Sequence, residues 1–200
     1  MRVSKQCQAA HRAEILDAAA RLFRQRGVEA VGVAEVMRAA GLTHGGFYGH
    51  YPSKAALAAS ACRRALAEGA ERWRRRAAKA RAHGRDPIGA IVTAYLSPEH
   101  LERPEEGCAI PALAAEAARS GPPLQDALAE GVGELLEVLR QEMPGAGEEA
   151  ALGLLAVMVG GIVVARASGD AGSALRALSA ARQLARRAVA GQLEETDDDR

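Results

Sequence analysis

The stretch that most constrains this chain is Val33–Tyr51, VAEVMRAAGLTHGGFYGHY. Val33, Val36, Met37 and Ala40 recur at helical spacing, so Val33–Ala40 is expected to form a short helix with one apolar face. Gly41 follows it, and a glycine just past a helix takes the left-handed conformation at little cost and stops the helix. Leu42 is placed to plug the corner, and Thr43 is a ready N-cap for a second short helix, His44–His50. A helix, a turn centred on Gly-Leu-Thr and a second helix have the geometry of the helix-turn-helix, whose second helix enters the major groove of DNA.

The flanking sequence completes a small head. A helix is expected over about Ala9–Arg26, where Ile15, Ala18, Ala19, Leu22 and Phe23 form one apolar stripe, and Gly27 ends it. Residues 1–10 are polar and read as a loose arm. Beyond the head, Ser53 caps a long helix over Lys54–Ala82, which carries a dense basic run from Arg72 to Arg81 and a lone Trp73. His83–Pro87 breaks the chain. Asp86 then caps a helix to Leu96, with Pro87 at its first position and Ile88, Ile91, Val92 and Tyr95 inward. Ser97–Gly107 holds two prolines and no apolar period, and is expected to be a loop. Helices follow from Cys108 to about Arg119, over Leu124–Glu142, Ala146–Ser168 and Asp170–Ala190, with Glu194–Asp199 an acidic, disordered tail. Every element is a helix, so the fold class is all-α. Composition agrees, because a chain 48% hydrophobic but only 3% aromatic builds its core from Ala, Leu and Val.

Net charge is +1, yet residues 1–86 hold 17 Lys and Arg against 7 Asp and Glu, while residues 87–200 hold 9 against 18. A basic front and an acidic back point to an anionic partner at one end only. Enzyme chemistry finds no support: there is no nucleophile–base constellation, paired carboxylate set or metal-ligand cluster, and Gly45-Gly46 lacks a lysine at phosphate-loop spacing. A metal at His44 and His50 is disfavoured by their six-residue spacing, and no cofactor is expected. Cys7, Cys62 and Cys108 are too few for a disulfide framework. The N-terminus shows no signal peptide, and the most apolar run, Ala150–Ala165, is short and glycine-rich for a membrane span, so a cytoplasmic location without membrane partners is expected.

Residues His11–Leu57 resemble the DNA-binding domain of the tetracycline-repressor-like (TetR) family. The matching positions are Ile15, Ala18, Leu22, Phe23, Gly27, Val33, Val36, Ala40, Gly41, Leu42, Thr43, Gly45, Phe47, Tyr48, His50, Tyr51, Lys54 and Leu57. Two positions depart from the family: Val31-Gly32 stands where Thr or Ser usually caps the second helix, and Tyr51 where Phe is frequent. The resemblance implies a helix-turn-helix DNA-binding domain over residues 9–55, with the motif itself at about 32–51. A helical effector-binding and dimerisation domain over 56–190 and an acidic tail over 191–200 complete the division. Thr43, His44, Gly45 and Gly46 are assigned to base edges or backbone in the groove, and Arg38 to a phosphate within reach of its helix. The resemblance assigns phosphate contacts to Tyr48, His50 and Lys54, and Tyr51 is counted with this DNA-facing set.

Further back, Leu152, Leu154, Leu155, Val157, Met158, Val159, Ile162 and Val163 make one helix apolar all round, which requires burial on every side. Its second partner is expected to be another subunit, and with the last helix it resembles the family's four-helix dimer interface. The implied function is a ligand-responsive homodimeric repressor that releases operator DNA on binding a small molecule of unidentified kind. Tyr95, Cys108 and Met158 are candidate pocket residues. Two alternatives stand beside it. Cys108, at a helix start and in a Gly-Cys segment similar to that of thiol-sensing members of the family, would make an electrophile or redox sensor. An architectural DNA-binder would have no effector.

Overall fold

In the computed structural model, which describes residues 5–195, the local signals act as expected at most helix ends. α1 (Lys5–Arg26) begins earlier than the polar N-terminus suggested, so only residues 1–4 of the expected arm lie outside the described residues. α2 (Val33–Ala39) starts after Gly32, which is extended and supplies no side-chain bond. Its end is a closed cap. Gly41 has φ +72, the Leu42 N–H donates to the Met37 carbonyl (2.9 Å) and the Gly41 N–H to that of Arg38 (3.0 Å). This paired pattern satisfies carbonyls a helix end would otherwise leave open.

The second motif helix is shorter and tighter than expected: His44–Gly49 is a 3₁₀ helix. Gly45, Gly46 and Gly49 make half of its residues poor helix formers, and 3₁₀ bonds serve such short segments. Thr43 stands at its N-cap with extended backbone, but its hydroxyl makes no capping bond.

α3 (Lys54–Ala82) begins where the Ser53 hydroxyl accepts from the Ala56 N–H (3.1 Å). α4 (Pro87–Tyr95) begins where the Asp86 carboxylate accepts from the Gly89 N–H (2.8 Å). The expected loop Ser97–Gly107 is corrected by the structure: it holds α5 (Pro98–Glu102) and a 3₁₀ turn, Pro104–Glu106. Ser97 caps α5 by accepting from the His100 N–H (3.2 Å), and Pro98 occupies a first-turn position where no N–H is needed. α6 (Ile110–Ser120), α7 (Leu124–Glu142), α8 (Glu148–Ala167) and α9 (Ala171–Glu195) complete the chain. α9 continues through Gly191 past its expected end at Ala190, and the rest of the acidic tail, residues 196–200, lies outside the described residues. No strand occurs among the described residues, and the fold is all-α.

Two compact units share these helices. The first comprises residues up to Ala67 together with Pro104–Val132. Its core holds Ile15, Ala19, Phe23, Val31, Val36, Met37, Phe47 and Leu57, so the stripe on α1 closes the head. The second comprises Glu68–Arg103 together with the residues from Gly133 onward. There α8 packs along α9, and Leu154, Met158 and Ile162 on α8 and Leu178 on α9 are buried. Gly161 lies at a close crossing, since a Cβ added there would stand 2.6 Å from that of Ala181 and 2.8 Å from Leu96 Cδ2. α8 is long and apolar enough to cross a membrane, with a mean hydropathy of 2.1 over its most apolar stretch. It is not buried all round, however: Leu152, Val163 and Val164 are exposed.

Candidate nucleic-acid interface

The head surface is built outward from Phe47. That ring is fully buried, and it holds Tyr48 edge-on (5.1 Å between centroids) and Tyr51 stacked (6.3 Å). With Phe47 turned inward, the residues before it turn outward: Thr43, His44, Gly45 and Gly46 are all exposed. Tyr48 is 73% exposed, an unusual position for a large ring with no partner on its outer side. A Cβ at Gly45 would meet nothing within 4 Å, and at Gly46 only Met37 Cε at 3.8 Å. Packing within the chain therefore does not require glycine at either position. Arg38 is exposed on α2.

Three of the assigned residues are tied to the scaffold. Lys54 is half-buried and its Nζ donates to the Glu29 carbonyl (3.3 Å). His50 is half-buried, its ring 6.1 Å from that of His11, and its carbonyl accepts from Arg12. Tyr51 is corrected from a DNA-facing residue to a core one, being 1% exposed. Its ring carries the Arg12 guanidinium at 4.3 Å, and its hydroxyl donates to the Arg12 carbonyl (3.5 Å). Burial raises the phenol pKa, and the neutral ring serves as the seat of Arg12.

Sequence spacing missed the residue that fixes the turn leading into the motif. Glu116 on α6 is 8% exposed, and its carboxylate accepts from the Val28 N–H (2.8 Å) and the Glu29 N–H (2.6 Å). The two backbone donors precede α2, so a residue 88 positions away anchors its entry. No local pattern encodes that pairing; the one available signal was an acidic residue on the apolar side of the Ile110–Ser120 helix, facing the core with Leu113 and Ala117. Ion pairs Arg26–Glu35, Arg64–Asp17 (2.6 Å) and Arg63–Glu130 (2.5 Å) brace the same unit.

The three pocket candidates do not share a unit. Cys108 belongs to the first, two residues before α6 rather than in its first turn, and is 9% exposed. Cys62 is buried near it, and desolvation followed by the Cys108 charge pushes the Cys62 thiol up to about 12. Tyr95 and Met158 belong to the second. Met158 is fully buried. Tyr95 meets Trp73 (5.6 Å) and His100 (4.5 Å) edge-on. The His100 Nδ1–H donates to the Tyr95 carbonyl (2.6 Å), and the His100 carbonyl accepts from Arg166 (3.0 Å). Burial, the leading cause, lowers the His100 pKa to about 4.

Residues 15–61 match the family model described as bacterial regulatory proteins, tetR family. The chain is 43% identical over 56 residues to the HTH-type transcriptional regulator AcrR of Shigella flexneri. That match spans 28% of this chain and about a quarter, 26%, of the relative's length. Among solved structures, a TetR transcriptional regulator from Chloroflexus aurantiacus is similar at a TM-score of 0.69 and 27% identity, covering 89% of this chain and 95% of that one. E. coli NemR in its reduced form is similar at a TM-score of 0.70 and 22% identity, covering 86% of this chain and 96% of that one.

Proposed function

We propose that this chain, which belongs to the tetR family of bacterial regulatory proteins, is a cytoplasmic, dimeric transcriptional repressor that releases its operator when a small molecule binds its helical second half. The carrying observation is the outward set Thr43, His44, Gly45, Gly46 and Tyr48, presented on a buried Phe47 pivot with no packing reason for its two glycines. Glycines there let the backbone approach a groove. The uncapped Thr43 hydroxyl is free to meet a base edge or phosphate. Tyr48, Arg38, His50 and Lys54 surround this set as phosphate contacts, which position the head without reading sequence.

Dimerisation is supported by α8 and α9. Leu152, Val163 and Val164 on α8 and Leu184 on α9 are each 44–58% exposed, and a Cβ at Gly153 or Gly160 would meet nothing. An apolar, glycine-flattened helix pair left open in the single chain is suited to a second copy related by a two-fold axis. Two heads so related would read half-sites about one DNA turn apart, roughly 34 Å.

A second reading, thiol sensing through Cys108, draws on Cys62 and Cys108 lying in the same unit and on the likeness to NemR, a structure of that protein's reduced form. Alkylation of Cys108 with unchanged operator affinity would dismiss it.

Selection of binding sites from random-sequence DNA by the purified chain tests the main reading. A recovered inverted repeat with half-sites one turn apart, bound by an even number of chains, is the expected result. Failure to enrich any sequence would overturn it.

A further inference from the structure

The second unit carries an open groove that the DNA reading does not use. It lies where the end of α3, the start of α4 and the late part of α9 come together, and encloses about 770 Å³. Its floor is apolar and fixed: Ala80, Ile88, Val92 and Ala185 are all buried to within 2%. Its rim is cationic, with Arg76, Lys79, Arg85 and Arg186 against one carboxylate, Asp86. That carboxylate is already engaged as the cap of α4, accepting from the Gly89 N–H. Among the described residues none of the four cations forms an ion pair, and Arg186 only donates to the Thr93 hydroxyl (3.3 Å), which also lines the groove.

We infer that this groove binds a small amphipathic anion, its apolar chain on the Ile88–Val92 floor and its acidic head between Lys79 and Arg186. A volume of this size suits a ligand of drug-like dimensions, with few polar groups fixing its orientation. Guanidinium and ammonium groups recognise a carboxylate, sulfonate or phosphate head equally by charge, and the apolar floor demands that the head carry a chain. A nucleic acid is disfavoured because the groove holds no aromatic ring for base stacking. The inference stands on the groove alone, and it holds or fails whatever the DNA affinity of the head.

Calorimetric titration of the full chain with decanoate tests it, with decanol and decyltrimethylammonium as neutral and cationic counterparts and a head-only anion, acetate, alongside. Saturable decanoate binding at one site per chain is expected, at least tenfold tighter than decanol, with no acetate or cationic binding. Lys79→Gln and Arg186→Gln, both at exposed positions, each weaken decanoate about tenfold and leave decanol unchanged. Equal affinity for decanoate and decanol, or charge variants that bind like the parent, would overturn the assignment. Decanoate binding that appears only in a chain ending at Glu195 would also overturn it, because the acidic terminus would then be the natural occupant.

Discussion

Glu116 gives the most exacting test of how the head is held. Replacing it with alanine removes a carboxylate that accepts two backbone bonds, from Val28 and Glu29. A hydrogen bond to a charged group contributes about 1.5–3 kcal/mol, and the buried Val28 N–H would be left without its acceptor. Glu116→Ala is therefore expected to destabilise the first unit by about 3–5 kcal/mol. Glu116→Gln keeps one acceptor oxygen but turns its amide N–H₂ toward the second backbone donor, so about half of that loss is expected. Urea unfolding followed by circular dichroism gives the total, and amide hydrogen exchange at Val28 and Glu29 localises it. Exchange there should accelerate in both variants while Gly41, in its own closed turn, keeps its protection. A loss under about 0.5 kcal/mol, with Val28 and Glu29 still protected, would refute the view that α6 anchors the entry to α2.

The remaining predictions concern the second unit. His100 has a folded pKa of about 4 against about 6.5 unfolded, so between those values the unfolded chain binds a proton that the folded chain does not. Stability should fall as pH drops from 6.5 to 4, by up to about 3 kcal/mol from this group, and the pH slope of the His100→Gln variant should be flatter over that window; an unchanged slope would exclude His100 as its source. Gly161→Ala places a Cβ against Ala181 and Leu96, and should cost about 1–3 kcal/mol by thermal unfolding, whereas Gly153→Ala, facing open space within the same helix, should raise the stability of the isolated chain by about 0.5–1 kcal/mol. Val164→Glu on the open face of α8 should yield monomers by analytical ultracentrifugation without unfolding the chain.

Much of the head was legible because its determinants are local. Gly41 and Leu42 close their turn with bonds to residues three and five positions back, and a reader of Val33–Tyr51 needs nothing more distant. The same holds for Ser53 and Asp86, whose capping bonds reach three residues. Ser97–Gly107 was misjudged because Pro98 and Pro104 were weighed as breakers, although both open helical turns where proline costs nothing. Tyr51 was counted with the DNA-facing residues beside it; it is instead buried, stacked on Phe47 and in contact with Arg12, 39 positions away. Glu116 and the cationic groove are products of tertiary assembly: the sequence shows an acidic residue on an apolar helix side and a basic run from Arg72 to Arg81, but not the Val28 and Glu29 N–H groups or the Arg186 that each one meets.

The central claim is that the exposed residues of His44–Gly49 and their cationic surround hold DNA phosphates and read a sequence. Its most direct test is the salt dependence of binding to the selected operator and to a scrambled duplex, measured by fluorescence anisotropy for the parent chain and for Arg38→Gln. A steep linear fall of log K with log salt is expected, with a slope shallower by about 1 per head in the variant and a preference for the operator of about 10³-fold or more. A shallow slope, or equal binding to both duplexes, would contradict it.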